Sequence, residues 1–584
     1  MKKDNTDEVS GGDGTTITFN VEGIQFEERV FVSSSRIMDV PSLANNLPRI
    51  VAQAPAKTGS DMAEASITVL EQDGPPNIGT DRSLPTKKNI SSKQGSNKQR
   101  PMLAANSVMP TGARYRVVLY ANGVHVTTID AIAGTPFSFT GANRNREYTW
   151  FAYSFNNAEQ IPNLTNNNNP SLTVAGASGF LYASGTLRTA DAANTDNKLN
   201  LEFQRKTANI ELILDARGMF GNILEIAGET VNAGALKSGT FNLKTGTYGS
   251  NFAGNNAVVP FNTSNFQNYE IGRGAMLKTT NFYTAAGGQP IQGWSIKLNT
   301  LRIEGDRRVS PAAIPNAAPW GDPHIFNNLT LAIPEFTPQI GKKYRVILTL
   351  IMTPMTVQNV QWARGNLYFA GPNDFRFRVH VASHVYGTVS TNTPYTTSYA
   401  AGEFFNWKAL IPTSLNSVVG TTSSQDPCAL VYPTGRWKMP TANDARTLIN
   451  AAGRSFEIAG STGAVVNSPE NSTLNRAVRR VQFALDGSDL PYDSQRRLSF
   501  LLFGYRSVLN DNYTISEFSN SSGNGYYWTS EQAASTTANV LRFFEASATP
   551  IRIQAIAKTF GANIRCIRDA QWSEAQIPPL PDAN

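Results

Sequence analysis

The stretch Tyr115-Arg116-Val117-Val118-Leu119-Tyr120-Ala121-Asn122-Gly123-Val124-His125-Val126 sets two runs of β-branched and aromatic residues on either side of Asn-Gly. A two-residue type I′ turn needs positive φ at both central positions, which Asn and Gly supply at least cost, so the stretch predicts a β-hairpin. Strands of similar make lie on both sides of it. Ile17 to Gly23 alternates apolar and polar residues and ends in Gly, as a half-buried first strand should. Tyr148 to Phe155 forms an aromatic strand closed by an Asn-rich loop, Asn166 to Asn169. Leu201 to Phe203 and Ala208 to Leu214 open a second series that runs to about Tyr386, with Ile210, Leu212 and Leu214 on one face. Within it Gly341 to Leu348 echoes Gly112 to Leu119, an echo that either two units of related strand chemistry or chance would produce.

Between these strands, residues 33–109 dissolve into Pro, Ser, Gly, Lys and Asn and read as a long surface loop or disordered insertion. At 63.4 kDa the chain exceeds one ordinary core, so two to four domains are expected, three being the central number. With 16% charged residues and abundant Asn, Thr, Ser and Gly, the composition favours a mainly β protein. The net charge of +7 comes from 51 cationic residues scattered among 44 acidic ones with no long basic run, which argues against a nucleic-acid partner. No apolar run of about 18 residues is present, so no transmembrane helix is expected. Met1-Lys2-Lys3 opens like a signal peptide, but Asp4 to Glu8 stand where its apolar region belongs. Residues 1–14 read instead as a flexible tether, and we expect a cleaved exported precursor in which Met1 replaces a lipidated cysteine, anchoring the chain to an outer membrane.

A Thr/Ser-rich stretch after Tyr386 reads as a linker to a third region. Its clearest element is a helix over residues 441–453. Thr441 is the cap, Asp444 its partner three residues on, Ala445, Leu448, Ile449 and Ala452 the apolar stripe, and Gly453 the C′ residue. The two cysteines, Cys428 and Cys566, flank this region, and an even count in an exported protein fits a structural disulfide. Such a bond would close a 138-residue loop (566 − 428) and stabilise by roughly 4 to 5 kcal/mol. The alternative is two unrelated buried thiols.

Three ordered motifs carry a resemblance. Asp426-Pro427-Cys428 through Tyr432-Pro433-Thr434-Gly435-Arg436-Trp437-Lys438-Met439-Pro440-Thr441, then Gly525-Tyr526-Tyr527-Trp528, then Arg565-Cys566-Ile567-Arg568-Asp569 are similar to the Fibrobacter succinogenes major paralogous (FISUMP) domain. That resemblance implies an α+β C-type-lectin-like fold over residues 400–584, related to formylglycine-generating enzymes, with the two cysteines paired. A calcium-dependent sugar site would need an EPN or QPD tripeptide and a WND-like run, and neither is there. Both thiols fall at structural positions, which argues against formylglycine-type chemistry. Tyr526, Tyr527 and Trp528 are candidate ligand contacts, weighed against a place in the core. Arg476, Arg479, Arg480, Arg496 and Arg497 form either a basic patch or an ordinary solvated face.

The first 390 residues, through Ile17 to Gly23, Tyr148 to Asn156 and Leu201 to Leu214, resemble the fimbrillin-type surface lipoproteins of Bacteroidota. The resemblance implies two transthyretin-like β-sandwich domains, residues 15–204 and 205–390. In members that polymerise, it also implies strand exchange with other fimbrial subunits after an Arg-directed cut frees the first strand. Arg29 and Arg36 are the candidate cut sites. The C-terminal module stands where a stalk subunit would carry its donor strand, which favours a tip or accessory position.

A non-enzymatic adhesin is therefore the leading expectation, with a host or bacterial surface glycan or protein as its ligand. A glycan-binding accessory lipoprotein of an uptake system is the alternative, and an enzyme of the formylglycine-generating type a further one. The four histidines, His125, His324, His380 and His384, read as strand residues, although His380 and His384 share a face and would make a weak metal site. Neither a GxGxxG nor a P-loop pattern occurs, so no nucleotide cofactor is expected.

Overall fold

The computed structural model describes residues 14–25, 49–56, 63–72, 107–164, 166–175, 179–254, 258–269, 274–304, 324–371, 374–377, 404–412, 425–451, 455–458, 479–485, 498–502, 504–509, 512–516, 524–544, 547 and 549–573. The chain is mainly β. Asn122 and Gly123 take φ of 50° and 78° and join Arg114–Ala121 to Val124–Ile132, the hairpin that Asn-Gly predicts.

That hairpin edges a seven-stranded sheet in the order Val124–Ile132, Arg114–Ala121, Glu147–Ser154, Leu181–Arg188, Asp196–Arg205, Thr15–Gln25, Phe137–Ala142. Alternate residues of each strand turn inward, so Ile17, Phe19, Val117, Leu119, Trp150, Leu199, Leu201 and Phe203 share one core. The opposite face of the central strands is covered too. Val118, Tyr120, Phe151, Tyr153 and Tyr182 pack against Phe241 and Leu243 of a small sheet in which Ser171–Val174 pairs with Lys237–Asn242. Burial on both faces explains why Tyr115 to Ala121 is apolar at every position but Arg116.

Beyond this junction lies a second sandwich. One layer runs Gln267–Asn268, Leu277–Thr284, Ala208–Gly218, Lys343–Met352, Ala63–Gln72, Arg49–Ala56, and the other Val259–Asn262, Ile223–Val231, Ser295–Ile303, His324–Ala332. Ile210, Leu212, Val346 and Leu348 face Ile226, Leu298, Leu301 and Leu331 across the core. The sequence echo marks a repeated device. Gly112 and Gly341 take φ of 88° and 84°, and each is followed by a buried Tyr, Tyr115 or Tyr344, and a buried Arg, Arg116 or Arg345.

Two strands correct the reading of 33–109 as loop. Arg49–Ala56 and Ala63–Gln72 form an antiparallel hairpin, and the second pairs along its length with Lys343–Met352. Its inward residues, Ala63, Ala65, Ile67 and Val69, begin with two alanines, too small to lift the hydrophobic pattern above its polar flanks. The hairpin thus belongs to the second sandwich although its neighbours in sequence belong to the first sheet.

The C-terminal module draws on residues upstream of 400. Trp362 pairs with Ile567, Ala363 N–H donates to Cys566 O at 2.8 Å and Leu367 N–H to Ile564 O at 2.8 Å. Asn524–Gln532, Thr537–Phe544 and Ile551–Ala557 form its three-stranded sheet. The helix is shorter than expected, Ala442–Thr447, but its cap is as read. Thr441 Oγ1 accepts from Asp444 N–H, and the Asp444 carboxylate accepts from Thr441 N–H. From Leu448 the backbone bonds tighten to the third residue back, which ends the α-helix early. Gly453, His380 and His384 lie outside the described residues.

Candidate functional site

Two places join chemistry to architecture. The first is the N-terminal strand Thr15–Gln25. It runs parallel to Asp196–Arg205, with Phe19 opposite Leu199, and antiparallel to Phe137–Ala142, with Phe19 opposite Phe137. Ile17, Phe19 and Ile24 are its anchors, exposed by 0, 3 and 3%. Its start is fixed by Asn197, whose amide donates to Thr15 Oγ1 at 3.0 Å and to Thr16 O at 2.9 Å. Near its end Ile24 and Ser107 exchange backbone hydrogen bonds of 2.8 and 3.0 Å. Removing this strand would strip hydrogen-bond partners from strands on both sides and open an apolar slot, the arrangement that strand addition fills. Arg29 and Arg36 lie outside the described residues.

The second place is the C-terminal module around Cys428 and Cys566, which are joined, fully buried, with Cα atoms 5.8 Å apart. Asp426 fixes the approach to Cys428, its carboxylate accepting from Cys428 N–H at 2.9 Å and Met439 N–H at 2.8 Å. Burial pushes this carboxyl above the usual carboxylate range, against the pull of those N–H groups and of Lys408.

Tyr526, Tyr527 and Trp528 are not open to a ligand. Their exposures are 2, 2 and 0%, and each ring is committed. Trp528 Nε1 donates to Phe405 O at 2.7 Å, Tyr527 stands edge-on to Phe500 at 4.9 Å, and Tyr526 stands edge-on to Tyr505 at 5.0 Å. They are core residues because the strand that carries them, Asn524–Gln532, is covered on both faces. Arg479 and Arg480 lie in the strand Arg479–Phe483, whereas Arg476, Arg496 and Arg497 lie outside the described residues.

The motif residues that stay polar point toward the second sandwich. The Tyr432 hydroxyl donates to Asp215 Oδ2 at 2.8 Å and accepts from Arg217 Nη2 at 2.9 Å, and the Arg217 guanidinium lies 4.1 Å from the Tyr432 ring centre. Desolvation lowers the Arg217 pKa, but the Asp215 charge and hydrogen bonds outweigh it and hold the guanidinium above its ordinary range. Arg436, fully buried beside Trp437 and Trp572, donates to Glu64 Oε2 at 2.9 Å, and Arg568 donates to Glu64 Oε1 at 3.3 Å. Arg565 is buried likewise, held by Asn366 Oδ1, Ala363 O and Ser499 O. Sequence reading missed Glu64, Asp215 and Arg217. The available signal was a lone charge inside an apolar run, as in Ala63-Glu64-Ala65 and Leu214-Asp215-Ala216.

His125 Nε2 lies 2.8 Å from Thr128 Oγ1 on an edge strand. Among the described residues no group of three His, Cys, Asp or Glu is placed to hold a metal, and no helix is long and apolar enough to cross a membrane. A cavity of about 360 Å³ lies between the hairpin and the loop before Lys343, lined by Arg49, Glu71, Phe336 and Lys342 among others.

Residues 124–290 match the fimbrillin-like family, a span that begins in the Asn-Gly hairpin and crosses from the first sheet into the second sandwich. No curated protein matches the chain. Among solved structures the chain is similar to a candidate cell adhesion protein from Bacteroides fragilis NCTC 9343, at 11% identity and TM-score 0.26, covering 47% of this chain and 94% of that one. It is similar also to a candidate cell adhesion protein from Bacteroides ovatus ATCC 8483, at 16% identity and TM-score 0.25, over 43% and 90% of the two chains. The fimbrial anchor protein Mfa2 from Porphyromonas gingivalis is similar at 11% identity and TM-score 0.20, over 34% and 74%.

Proposed function

We propose that the chain is a non-enzymatic cell-surface adhesin or fimbrial subunit of tip or accessory type. In this reading two fimbrillin-type sandwiches hold out a disulfide-closed C-terminal module of C-type-lectin-like kind, and a lipid at the N-terminus of the precursor holds the chain to the outer membrane. One observation carries it: the fimbrillin-like match takes in five of the seven strands of the sheet in which a single N-terminal strand, itself outside the match, is seated between two others, a few residues upstream of Arg29 and Arg36. A cut there frees Thr15–Gln25 alone, because the next described strands, Arg49–Ala56 and Ala63–Gln72, are held in a different sheet. The vacated slot then accepts a strand from a neighbouring subunit, provided that strand supplies apolar side chains at the positions of Ile17, Phe19 and Ile24. Each of these contributes about 1.5–3 kcal/mol when buried. Both cysteines of the chain are consumed by the Cys428–Cys566 bond, which leaves no thiol for formylglycine-type chemistry.

The test is to treat the full chain with an Arg-specific protease and follow N-terminal sequence and mass by light scattering. Loss of residues 15–25 is expected, with a heavier species once a donor peptide that is apolar at the positions of Ile17, Phe19 and Ile24 is added. A nicked chain that keeps its first strand and stays monomeric removes strand exchange. For the recognition role, the full chain is applied to glycan and matrix-protein arrays, and absence of binding across both sinks the adhesive reading.

A further inference from the structure

The chain leaves the first sheet at Gln25 and re-enters it at Ser107, and the two ends of this excursion are bonded to each other through Ile24 and Ser107. Nothing in the first sheet therefore needs residues 26–106 to bridge a gap. The described part of the excursion, the hairpin Arg49–Ala56 and Ala63–Gln72, does its work elsewhere: it completes the six-stranded sheet of the second sandwich and projects Glu64 away from the sandwich core. Ala63 and Ala65 face inward on either side of it, so the period-2 alternation turns Glu64 toward the C-terminal module.

There Glu64 meets two guanidinium groups from motif segments lying on opposite sides of the disulfide, Arg436 and Arg568. Arg436 is fully buried, and a guanidinium taken out of water is tolerated only opposite a charge and hydrogen-bond acceptors. From this geometry we infer that Arg436 and Arg568 form a docking face that reads a carboxylate presented on a β-hairpin, and that the N-terminal hairpin thereby seats the C-terminal module on the second sandwich. The partner is in this chain, 372 residues away from Arg436 in sequence. The Tyr432–Asp215–Arg217 contact is the second point of the same seam, and it fixes the module against rotation about the first. This inference is independent of the adhesive reading, since it concerns only how the module is held.

The experiment is hydrogen exchange by mass spectrometry on the full, oxidised chain, comparing Glu64→Gln, Arg568→Gln and the double variant with the parent. Gln keeps the volume of Glu and removes its charge. Exchange of the Ala363 and Asp569 amides, which bond within the module beside the seam to Cys566 O and Arg436 O, should quicken about tenfold or more in Glu64→Gln. Amides of Arg114–Ala121 and Glu147–Ser154 should not change. The double variant should exchange no faster than Glu64→Gln alone, because the two side chains act on each other. Glu64→Asp, which keeps the charge on a shorter side chain, should fall between parent and Gln. Unchanged protection in Glu64→Gln overturns the inference, as do Glu64→Gln and Arg568→Gln effects that simply multiply. Should Glu64→Gln fail to fold, Arg568→Gln decides: its side chain is partly exposed, and seam protection equal to the parent's refutes the docking role.

Discussion

Breaking the Cys428–Cys566 bond perturbs a loop of 138 residues, and the size of the effect follows from that length. In the chain-entropy description the bond removes 2.1 + 1.5R ln 138 from the entropy of the unfolded chain, about 17 cal/mol/K, or about 5 kcal/mol at 25 °C. The native ends need little help. Ala363 bonds to Cys566, Asp569 bonds to Arg436, and Trp437-Lys438 pairs with Ile567-Arg568. Reduction therefore acts on the unfolded state of the C-terminal module and leaves its folded geometry in place. We expect a loss of about 3–5 kcal/mol confined to that module, the lower bound being what such bonds commonly deliver. The assay is urea unfolding of reduced and alkylated against oxidised full chain, read by pulse proteolysis with peptides assigned by mass spectrometry. Peptides from residues 425–451 and 524–573 should become cleavable at lower urea after reduction, and those from 114–154 at the same urea as before. A shift in the module worth less than about 1 kcal/mol, or an equal shift in the first sheet, refutes the reasoning, because the closed loop lies wholly outside that sheet.

Three further outcomes can be measured on the same protein. Gly123→Ala meets no atom within 4 Å yet must hold φ near 78°, so thermal unfolding should show a loss of about 1–2 kcal/mol from conformation alone. Tyr432→Phe removes a buried hydroxyl that bridges Asp215 and Arg217 and should cost about 1–3 kcal/mol. Burial, then the Asp215 charge, push the Tyr432 phenol well above 10.0, so its share of stability is present below pH 10 and lost above it; in an alkaline titration Tyr432→Phe should decline less steeply than the parent. Glu211→Leu removes the carboxylate that buried Arg345 shares with Lys343 and should cost about 3–5 kcal/mol, whereas Glu211→Leu with Arg345→Met should recover part of it in thermal denaturation; costs that add instead refute the pairing.

What could be read from sequence was local. Asn122-Gly123 carries its own turn chemistry, Thr441 and Asp444 their own cap, and Ile17, Phe19 and Val21 their own alternation, so each is visible within a few residues. The hairpin of 49–72 was not visible, because its inward face opens with Ala63 and Ala65 and its pairing partner lies some 280 residues on. The candidate site suffered in the same way. Tyr526, Tyr527 and Trp528 have one appearance in sequence whether they stack on a ligand or on Phe500 and Tyr505, and only the packing decides. Glu64, Asp215 and Arg436 look like surface charges one at a time, and become a seam once strands from three parts of the chain meet.

The way those strands meet limits how the molecule can yield under load. Ser171–Val174 pairs with Lys237–Asn242 across the boundary between the first sheet and the second sandwich, and Tyr182 there donates to Leu243 O at 2.5 Å. The strands Arg49–Ala56 and Ala63–Gln72, which follow the first strand in sequence, are seated in the second sandwich, and Glu64 carries the connection on to Arg436 and Arg568. Modules joined by single linkers unfold independently, because separating them breaks no ordered contact. Here separation at either boundary must tear strand pairs or expose a buried guanidinium, each of which costs several kcal/mol before any linker is stretched. Among the described strands, Thr15–Gln25 is one whose loss leaves both boundaries intact, since its strand pairings lie within the first sheet. Its loss would take from Phe137–Ala142 the strand it pairs with but would touch neither boundary, so the C-terminal module would keep its orientation through the exchange proposed above.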